Sequence, residues 1–549
     1  MKRDIAALSD QRHDLLVIGG GIYGVAAARE ASLRGLRVAL VERDDFGAGT
    51  SWNSFKTLHG GIRYLQQLDL ARLRASLRSQ RRFLRLAPHL VEPLRFALPS
   101  RGWGSRGPVA LGLGRLAYAA LSLDRNRGVA PERRLPGARL LSRGALHALA
   151  PELSLSRANG ALAWWDAQLR SSERVVLEFA LAAAEQGAQL ANRVEVCALR
   201  IGRGRVDGVA ARDLASGREL ELRADAVLCC AGAESFALLG RERALRAPAP
   251  PLSRAANVVL ARALFDCAVA LPVSGAAAGQ GEQTLFAAPW RGRTLLGTLH
   301  LPLREPGRAE LAEAEIECLL AAVNRVLPGA RLQRSDVALF HVGVQPVAGW
   351  DASSGLPRHA PDALALDHGA RDRVAGLHTL VGVKFTEAPE EARRAVERIG
   401  AALGRGRAPA GDPPLPGARG TRGEALRREL RERAGPGFDA EQLEHLAASY
   451  GARATGVLEH ARDPGLAARL TPASPVSAAE LVFGLREEMA GGLGDLVLRR
   501  TELGARGDLD ARALEACAEV ASREQGWSAE RRAAELACAR SALAQRGAG

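Results

Sequence analysis

Residues 14–18 (DLLVI) form a short unbroken apolar run that ends in glycines, the pattern of a strand buried on both faces of a parallel sheet. A helical stretch follows from about Tyr23 to Arg34, stopped by Gly35, and a second apolar run, Leu36–Val41, ends at Glu42. Together they predict one β-α-β unit at the N-terminus. Residues 69–87 place Leu70, Leu73, Leu77 and Leu84 at helical spacing, with Arg74, Arg78, Arg81 and Arg82 largely opposite. That pattern predicts an amphipathic helix lying on the core. Further helices are expected over 172–186, 311–326 and 389–403, and strands over 193–200, 205–211, 224–230 and 377–381. Residues 255–264 and 284–299 predict a second sheet, with a turn at Trp290–Arg293. The stretch Gly404–Gly423 is dense in Pro and Gly and reads as a linker. Beyond it the periodicity is helical almost throughout to Ala548, which predicts a separate helical domain.

Composition narrows the class. At about 150 residues per domain, 549 residues suggest three or so modules. The 47% hydrophobic and 25% charged content excludes bulk disorder and fibrous repeats. No apolar run reaches the roughly 18 residues of a membrane span, and the nearest, Pro108–Leu123, is broken by Arg115. The first 14 residues carry charges where a signal peptide needs its apolar stretch, so a cytosolic chain is expected. Seven scattered cysteines without a C-x-x-C pair predict reduced thiols, with no metal site.

The 75 basic against 61 acidic residues give +14, yet only three of the basic residues are lysines. Such arginine bias is that of a GC-rich genome. The arginines are interleaved with Glu and few aromatics accompany them, so nucleic-acid binding is not expected, whereas weak attraction to an anionic membrane surface is. The bias also singles out the two interior lysines, Lys56 and Lys384, as positions that need a compact ammonium.

The chemistry begins at Gly19-x-Gly21-x-x-Gly24, which follows the first strand directly and opens the first long helix. Gly19 permits the tight turn, Gly21 lets the backbone approach a pyrophosphate, and Gly24 allows close helix–strand packing. The helix N-terminus offers N–H groups to the anion, and Glu42 can accept bonds from ribose hydroxyls. Strand, helix and acidic residue in register make a dinucleotide site. Residues 47–65 (GAGTSWNSFKTLHGGIRYL) then form a polar, Gly-rich stretch where ligands of such sheets sit. Thr50, Ser51, Ser54, Lys56 and His59 offer hydrogen bonds there, Gly60 and Gly61 allow close approach, and Arg63 and Tyr64 add a cation and a hydroxyl.

These motifs, with APHLVEPLRFALP, GALAWWDAQLRSSER, AAPWRGRTLLGT, GLHTLVGVKFT and LREEMAGGLGDLVLRRTELG in the same order, resemble the FAD-dependent, quinone-linked glycerol-3-phosphate dehydrogenases over nearly the whole chain. The resemblance implies an α/β fold: a Rossmann-like FAD-binding domain, a mixed-sheet substrate domain like that of D-amino-acid oxidases, and an all-helical C-terminal domain. It assigns 1–100, 151–250 and 340–403 to the first, 101–150 and 251–339 to the second, 404–423 to a linker and 424–549 to the third. It implies that Gly19, Gly21, Gly24 and Glu42 hold the ADP half of FAD, with Val194 at the adenine and Gly232 beside the cofactor. Thr50, Ser51, Ser54, Lys56, His59, Gly60 and Gly61 would wrap the pyrophosphate and ring, and Gly382, Lys384 and Thr386 would meet the pyrimidine edge.

Arg63 and Tyr64 would hold the substrate, glycerol 3-phosphate, whose carbinol hydride passes to flavin N5 and on to a quinone at the membrane. Here the chain departs from the family pattern. Asn257 stands where the family has His, Gln345 where it has Arg, and Glu387 where it has Thr, with His341 and Arg334 near enough to substitute. The departures leave open a close polyol phosphate as substrate, an amine or amino-acid oxidase on the same fold, or a flavoprotein with degraded catalysis.

Overall fold

A computed structural model describes residues 1–547, apart from 105–106, 155–157, 247–249, 277–280, 304–308, 361, 436, 462 and 508. The chain folds into two compact units. The first comprises Met1–Trp52, Ser171–Pro250 and Ala360–Ala544, and the second comprises Asn53–Arg170, Pro251–His359 and Gln545–Gly549.

In the first unit, five parallel strands lie side by side in the order Leu377–Val381, Glu219–Cys229, Arg12–Ile18, Val38–Val41 and Gln189–Ala191. Leu364–Asp367 closes one edge antiparallel, and the hairpin Val194–Gly202/Arg205–Asp213 continues from Glu219–Cys229. Arg12–Ile18 is central and buried along all but its first residue, as its apolar run requires. The Ile22–Leu33 helix is buried in 11 of its 12 positions. Its small faces (Ala26, Ala27, Ala28, Ala31) admit the neighbouring Ser172–Glu185 and Ala388–Leu403 helices on either side.

The C-terminal helices have their own apolar cluster around Leu430, Leu446, Tyr450 and Val457. They nevertheless gather into the same unit as the nucleotide-type sheet, and they include a short ribbon, Arg469–Thr471 with Ser474–Ser477. The expected linker is a packed strap. Arg29 reaches Asp412 (3.0 Å) and the Pro413 carbonyl (2.6 Å), Leu415 is fully buried, and the Gly417 N–H donates to Glu178 (2.7 Å). Proline and glycine there shape a docked path rather than a flexible one.

The second unit is built on a ten-stranded sheet. Taken from one edge its main path runs Pro357–His359, Val337–Trp350, Leu252–Leu260, Arg293–Pro302, Glu282–Trp290, Ala268–Ser274, Val91–Ser100, Gly160–Leu169 and Thr57–Leu58, with Arg139–Ser142 also on Gly160–Leu169. All pairings are antiparallel except the short contact of Ala268–Ser274 with Val91–Ser100. This pairing corrects the expected boundaries. Residues 53–100, 151–170 and 340–359, read as nucleotide-domain sequence, belong to the second unit because their strands hydrogen-bond into its sheet. The Leu70–Leu86 helix turns Leu73, Leu77 and Leu84 inward, as its periodicity predicts, together with Phe83 and Leu86, whereas Leu70 in its first turn stays exposed. Pro108–Leu121 differs, burying only Leu111 and Tyr118 among its residues.

Candidate functional site

The nucleotide cradle lies wholly in the first unit. Gly19 ends the first strand at φ 104°, and a Cβ there would sit 2.7 Å from the Cys230 carbonyl oxygen. At Gly24 a Cβ would come within 1.9 Å of the Gly19 carbonyl, so the helix crosses the strand at a distance only glycine permits. Gly21 caps the helix without any side-chain bond and no acidic residue occupies the first turn, which leaves the positive end of the helix dipole open to an anion.

Residues 42–51 wall this turn. Glu42 accepts the Gly20 N–H (2.6 Å) and the Asp44 N–H (2.8 Å), Gly47 N–H donates to the Gly20 carbonyl (3.0 Å), and Ser51 Oγ accepts the Ile22 N–H (2.9 Å). Burial raises the Glu42 carboxyl above its ordinary value, the two N–H bonds opposing. Thr50 is exposed on the same loop. Val194 N–H donates to the Glu42 carbonyl (2.8 Å), which fixes the expected adenine position beside the end of the second strand. Gly232, at φ 59°, follows the Glu219–Cys229 strand at the same edge.

The 382–387 turn packs on the opening of the helix. A Cβ on Gly382 would lie 1.8 Å from the Tyr23 ring, and the Tyr23 hydroxyl donates to the Lys384 carbonyl (2.8 Å). Lys384 Nζ pairs with Glu387 Oε1 at 2.7 Å, and Thr386 beside it is buried.

The remaining expected residues lie in the second unit. Ser54 Oγ accepts the Lys56 N–H (3.4 Å), and Lys56 itself is fully buried at φ 59°, its ammonium 5.6 Å from the centre of the Trp290 ring. The buried His341 ring meets the same tryptophan edge-on at 5.7 Å. Burial first, then the Lys56 charge, drives the His341 pKa well below its ordinary value, so the imidazole is neutral at physiological pH. The His59-Gly60-Gly61 turn is organised by Asp166, which is fully buried and accepts from Gly60 N–H (2.7 Å), Gln80 Nε2 (2.8 Å) and Trp164 Nε1 (3.1 Å). His59 Nδ1 lies 3.8 Å from it. Gly61, at φ 83°, starts the Ile62–Gln67 turn, where the exposed Arg63 guanidinium lies 5.5 Å from the ring centre of Tyr64. Tyr64 is buried with Leu73, Leu77 and Tyr118.

On the second sheet Asn257 is buried opposite His341 in register. Its Oδ1 accepts the Thr298 hydroxyl (2.7 Å) and its Nδ2 donates to the Asn53 carbonyl (3.3 Å). Gln345 faces Ser253 across the strands, and Ser253 Oγ is 3.1 Å from His300 Nδ1. Burial, with His359 and Arg63 adding to it, lowers the His300 pKa to about 3. Arg334 is engaged by Glu313 at 2.6 Å on the Arg334–Asp336 turn, which precedes the Val337–Trp350 strand, whereas Asn257 lies opposite His341 within that strand.

Residues 14–384 match the family of FAD dependent oxidoreductases, and residues 410–532 match the C-terminal domain of alpha-glycerophosphate oxidase. A glycerol-3-phosphate dehydrogenase from Synechocystis sp. is 31% identical over 555 residues, covering 96% of each chain. The chain belongs to the FAD-dependent glycerol-3-phosphate dehydrogenase family. The human mitochondrial member is 29% identical over 96% of this chain and 73% of its own. The glycerol-3-phosphate dehydrogenase of Bacillus halodurans, solved with FAD, superposes with a TM-score of 0.77 at 22% identity, covering 99% of this chain and 96% of that one, which shows the shared fold.

The dehydrogenase is thus an FAD-dependent oxidoreductase, and its cradle suits the cofactor: a glycine turn with little room for side chains, a helix N-terminus whose own cap residue, Gly21, makes no side-chain bond, and an acidic side chain at the end of the second strand. Sequence reading missed the supports of the site. Asp166 sits inside the quoted GALAWWDAQL motif, but nothing local marks it as the anchor of the HGG turn. The pairing of Lys56 with Trp290 and His341 joins residues more than two hundred positions apart and leaves no sequence signal.

Proposed function

We propose that this dehydrogenase oxidises glycerol 3-phosphate, or a close polyol phosphate, to the ketone and passes the electrons to a quinone at an anionic membrane surface. One observation carries the substrate assignment: the Arg63 guanidinium, stacked over a Tyr64 ring that the core holds still, on a turn fixed by Gly61 and by Asp166. Arg63 pairs with the substrate's phosphate, bidentate geometry giving both affinity and register. Tyr64 keeps the guanidinium plane oriented. Asn257, already bonded to Thr298 and Asn53, offers a polar but uncharged wall. FAD, once bound, supplies the acceptor for the hydride that leaves the carbinol carbon. His341 is a poor match for the base that takes the hydroxyl proton, because its proton affinity is suppressed by burial and by Lys56. The Lys56–Trp290–His341 cluster instead stiffens the cofactor loop.

Membrane contact is supported by a patch on the second unit. Among the described residues, eight of the nine most exposed large apolar side chains fall between Leu68 and Leu140, including Trp103, Leu113 and Leu123. Residues 68–143 hold sixteen arginines and four acidic residues, so their net +12 makes up most of the chain's +14. Exposed apolar side chains within an arginine-rich segment suit an anionic lipid surface. No helix of the described residues is long and apolar enough to cross a membrane.

Anaerobic stopped-flow mixing of the yellow holoenzyme with glycerol 3-phosphate tests the activity. Bleaching of the flavin band within seconds is expected. Bleaching by amino acids and not by glycerol 3-phosphate would transfer the assignment to an amine or amino-acid oxidase, a reading that the uncharged Asn257 and Gln345 favour. No bleaching by either class would leave a flavoprotein without this chemistry.

A further inference from the structure

The wall of the nucleotide cradle, residues 42–51, is held from behind. Phe46 in this wall lies where a Cβ on Gly20 would go, 2.8 Å away, and Gly47 and Ser51 bond directly to the glycine turn and the helix start. The position of the wall therefore sets the shape of the cradle. Midway along it the Asp45 carboxylate turns away from the turn and is completely buried.

Arg500 grips Asp45 with both terminal nitrogens (2.8 and 2.8 Å), Arg499 Nε adds a third bond (2.6 Å), and Asn192 Nδ2 a fourth (3.1 Å). Both arginines sit on the C-terminal π-helical turn Leu496–Arg500, closed by the Thr501 N–H and hydroxyl on the Leu496 carbonyl (both 2.9 Å). Consecutive side chains of a regular α-helix diverge by about 100°, and the wider π-turn narrows that divergence so that two neighbours converge on one carboxylate.

The contact closes into a ring. Arg499 also pairs with Asp495, Asp495 pairs with Arg193 (2.7 Å), and the Arg193 N–H donates to the Asp44 carbonyl (3.2 Å), back on the wall. Burial opposes the charge on Asp45, but Arg500 and Arg499 outweigh it and hold the carboxyl far below its ordinary value. None of these groups belongs to the glycine turn, to the helix that carries it or to the substrate-side residues.

We propose that Asp45, Arg499 and Arg500 form a positioning clamp through which the C-terminal helices hold the cradle wall in its FAD-retaining shape. This rests on the reading of the Gly19–Gly24 turn as the FAD pyrophosphate site. On it, the C-terminal helices are a determinant of cofactor affinity, although none of these residues needs to touch FAD.

The test measures FAD dissociation constants on full-length, reconstituted protein by flavin fluorescence, together with the melting temperature of the apoprotein. Asp45→Asn and Arg500→Lys are compared with Glu480→Gln, which breaks an equally buried pair (His445–Glu480, 2.9 Å) inside the C-terminal helices without touching the wall. All three are expected to lower apoprotein melting. Only the first two should weaken FAD binding, by about tenfold or more, while Glu480→Gln stays within about twofold. Where a single variant fails to fold, the double variant Asp45→Leu/Arg500→Met replaces the buried pair with apolar groups and removes the stranded charge. It should fold and still bind FAD weakly. Unchanged FAD affinity in the clamp variants, or an equal loss in Glu480→Gln, overturns the clamp. Failure of the unaltered protein to take up FAD at all would instead overturn the reading of the cradle.

Discussion

Lys384 and Glu387 form an ion pair across a single 3₁₀ turn, Nζ to Oε1 at 2.7 Å, with both side chains largely shielded from water. The resemblance implies that Lys384 would meet the pyrimidine edge of the flavin, where a cation would stabilise the anionic reduced ring. Glu387 spends part of that cation on itself. Glu387→Gln is therefore expected to raise the flavin midpoint potential, by on the order of 30 mV for about 1.4 kcal/mol of released stabilisation. Spectroelectrochemical titration of the two holoproteins measures it, and a potential that falls or stays constant would place Lys384 out of reach of the ring.

Two glycines of the cradle respond differently to an added methyl. At Gly24 the obstruction is the backbone carbonyl of Gly19, at Gly382 it is the ring of Tyr23. Gly24→Ala is expected to prevent FAD uptake whatever else is changed, since no side chain can move aside. Gly382→Ala is expected to cost about 1–3 kcal/mol through overpacking, and pairing it with Tyr23→Ala should return flavin binding in part. The ratio of flavin to protein absorbance in purified samples decides between the two responses.

The contrast between these sites follows what the sequence can and cannot carry. The β-α-β start is legible because its signals are local: an apolar run, a glycine turn and an acidic residue within about thirty positions. The second sheet is less legible. Val91–Ser100 contains Pro93 and Pro99, which speak against a strand inside a sheet, yet its contact with Ala268–Ser274 is confined to Phe96 and Ala97, so neither proline costs a bond there. Asp45 reads as one more charge in a loop because its partner stands 455 residues away. The strap at 404–423 shows the same limit: proline and glycine content reports where a helix stops, not whether the segment then docks.

Acid should loosen the attachment of the C-terminal helices. Glu488 is fully buried between Arg174 (2.7 and 2.9 Å) and Arg453 (2.6 Å). Burial would raise its carboxyl, but the two arginines prevail and hold it at about 2, below an ordinary value of 4.5. A depressed carboxyl contributes stability that is complete above its unfolded value and is lost as pH falls toward the folded one. The contribution here is on the order of 3 kcal/mol, lost progressively between about pH 5 and pH 2. Melting temperature measured across that range should fall less steeply in Glu488→Gln than in the unaltered protein, although the variant starts lower at neutral pH. Parallel curves would mean that Glu488 does not titrate in this window.

Gln345 tests the substrate. Half-buried opposite Ser253, it offers an amide where the resemblance implies a guanidinium. If the substrate carries a phosphate, Gln345→Arg adds a charge-assisted bond of about 1.5–3 kcal/mol, and KM for glycerol 3-phosphate should drop by roughly ten- to a hundredfold. Flavin content serves as the control. A rise in KM, with FAD binding intact, would show that this position has been remade for a less charged molecule.

Two helices of the arginine-rich segment offer a lipid surface different side chains. The basic Leu70–Leu86 helix turns most of its apolar face to the core. Apart from Leu70 in its first turn, it therefore offers a lipid surface mainly arginines, of which Arg74 and Arg81 are paired with Asp124. Pro108–Leu121 is the opposite case: Val109, Leu113 and Leu116 recur at spacings of four and three, on one helical face, at 64%, 65% and 55% exposure. Exposed side chains of this kind contribute little to folding, so Leu113→Glu with Leu116→Glu should leave the melting temperature nearly unchanged. The same pair removes two leucines from the lipid boundary and sets two anions against it. Together these effects amount to on the order of 3 kcal/mol, or about a hundredfold in partitioning. Flotation with vesicles of anionic and of zwitterionic phospholipid reads this directly. Binding should favour the anionic vesicles, weaken with salt because the arginines act through the solvent, and nearly vanish in the double variant. Equal flotation of variant and parent would detach the lipid contact from this helix and leave its apolar stripe to a protein partner.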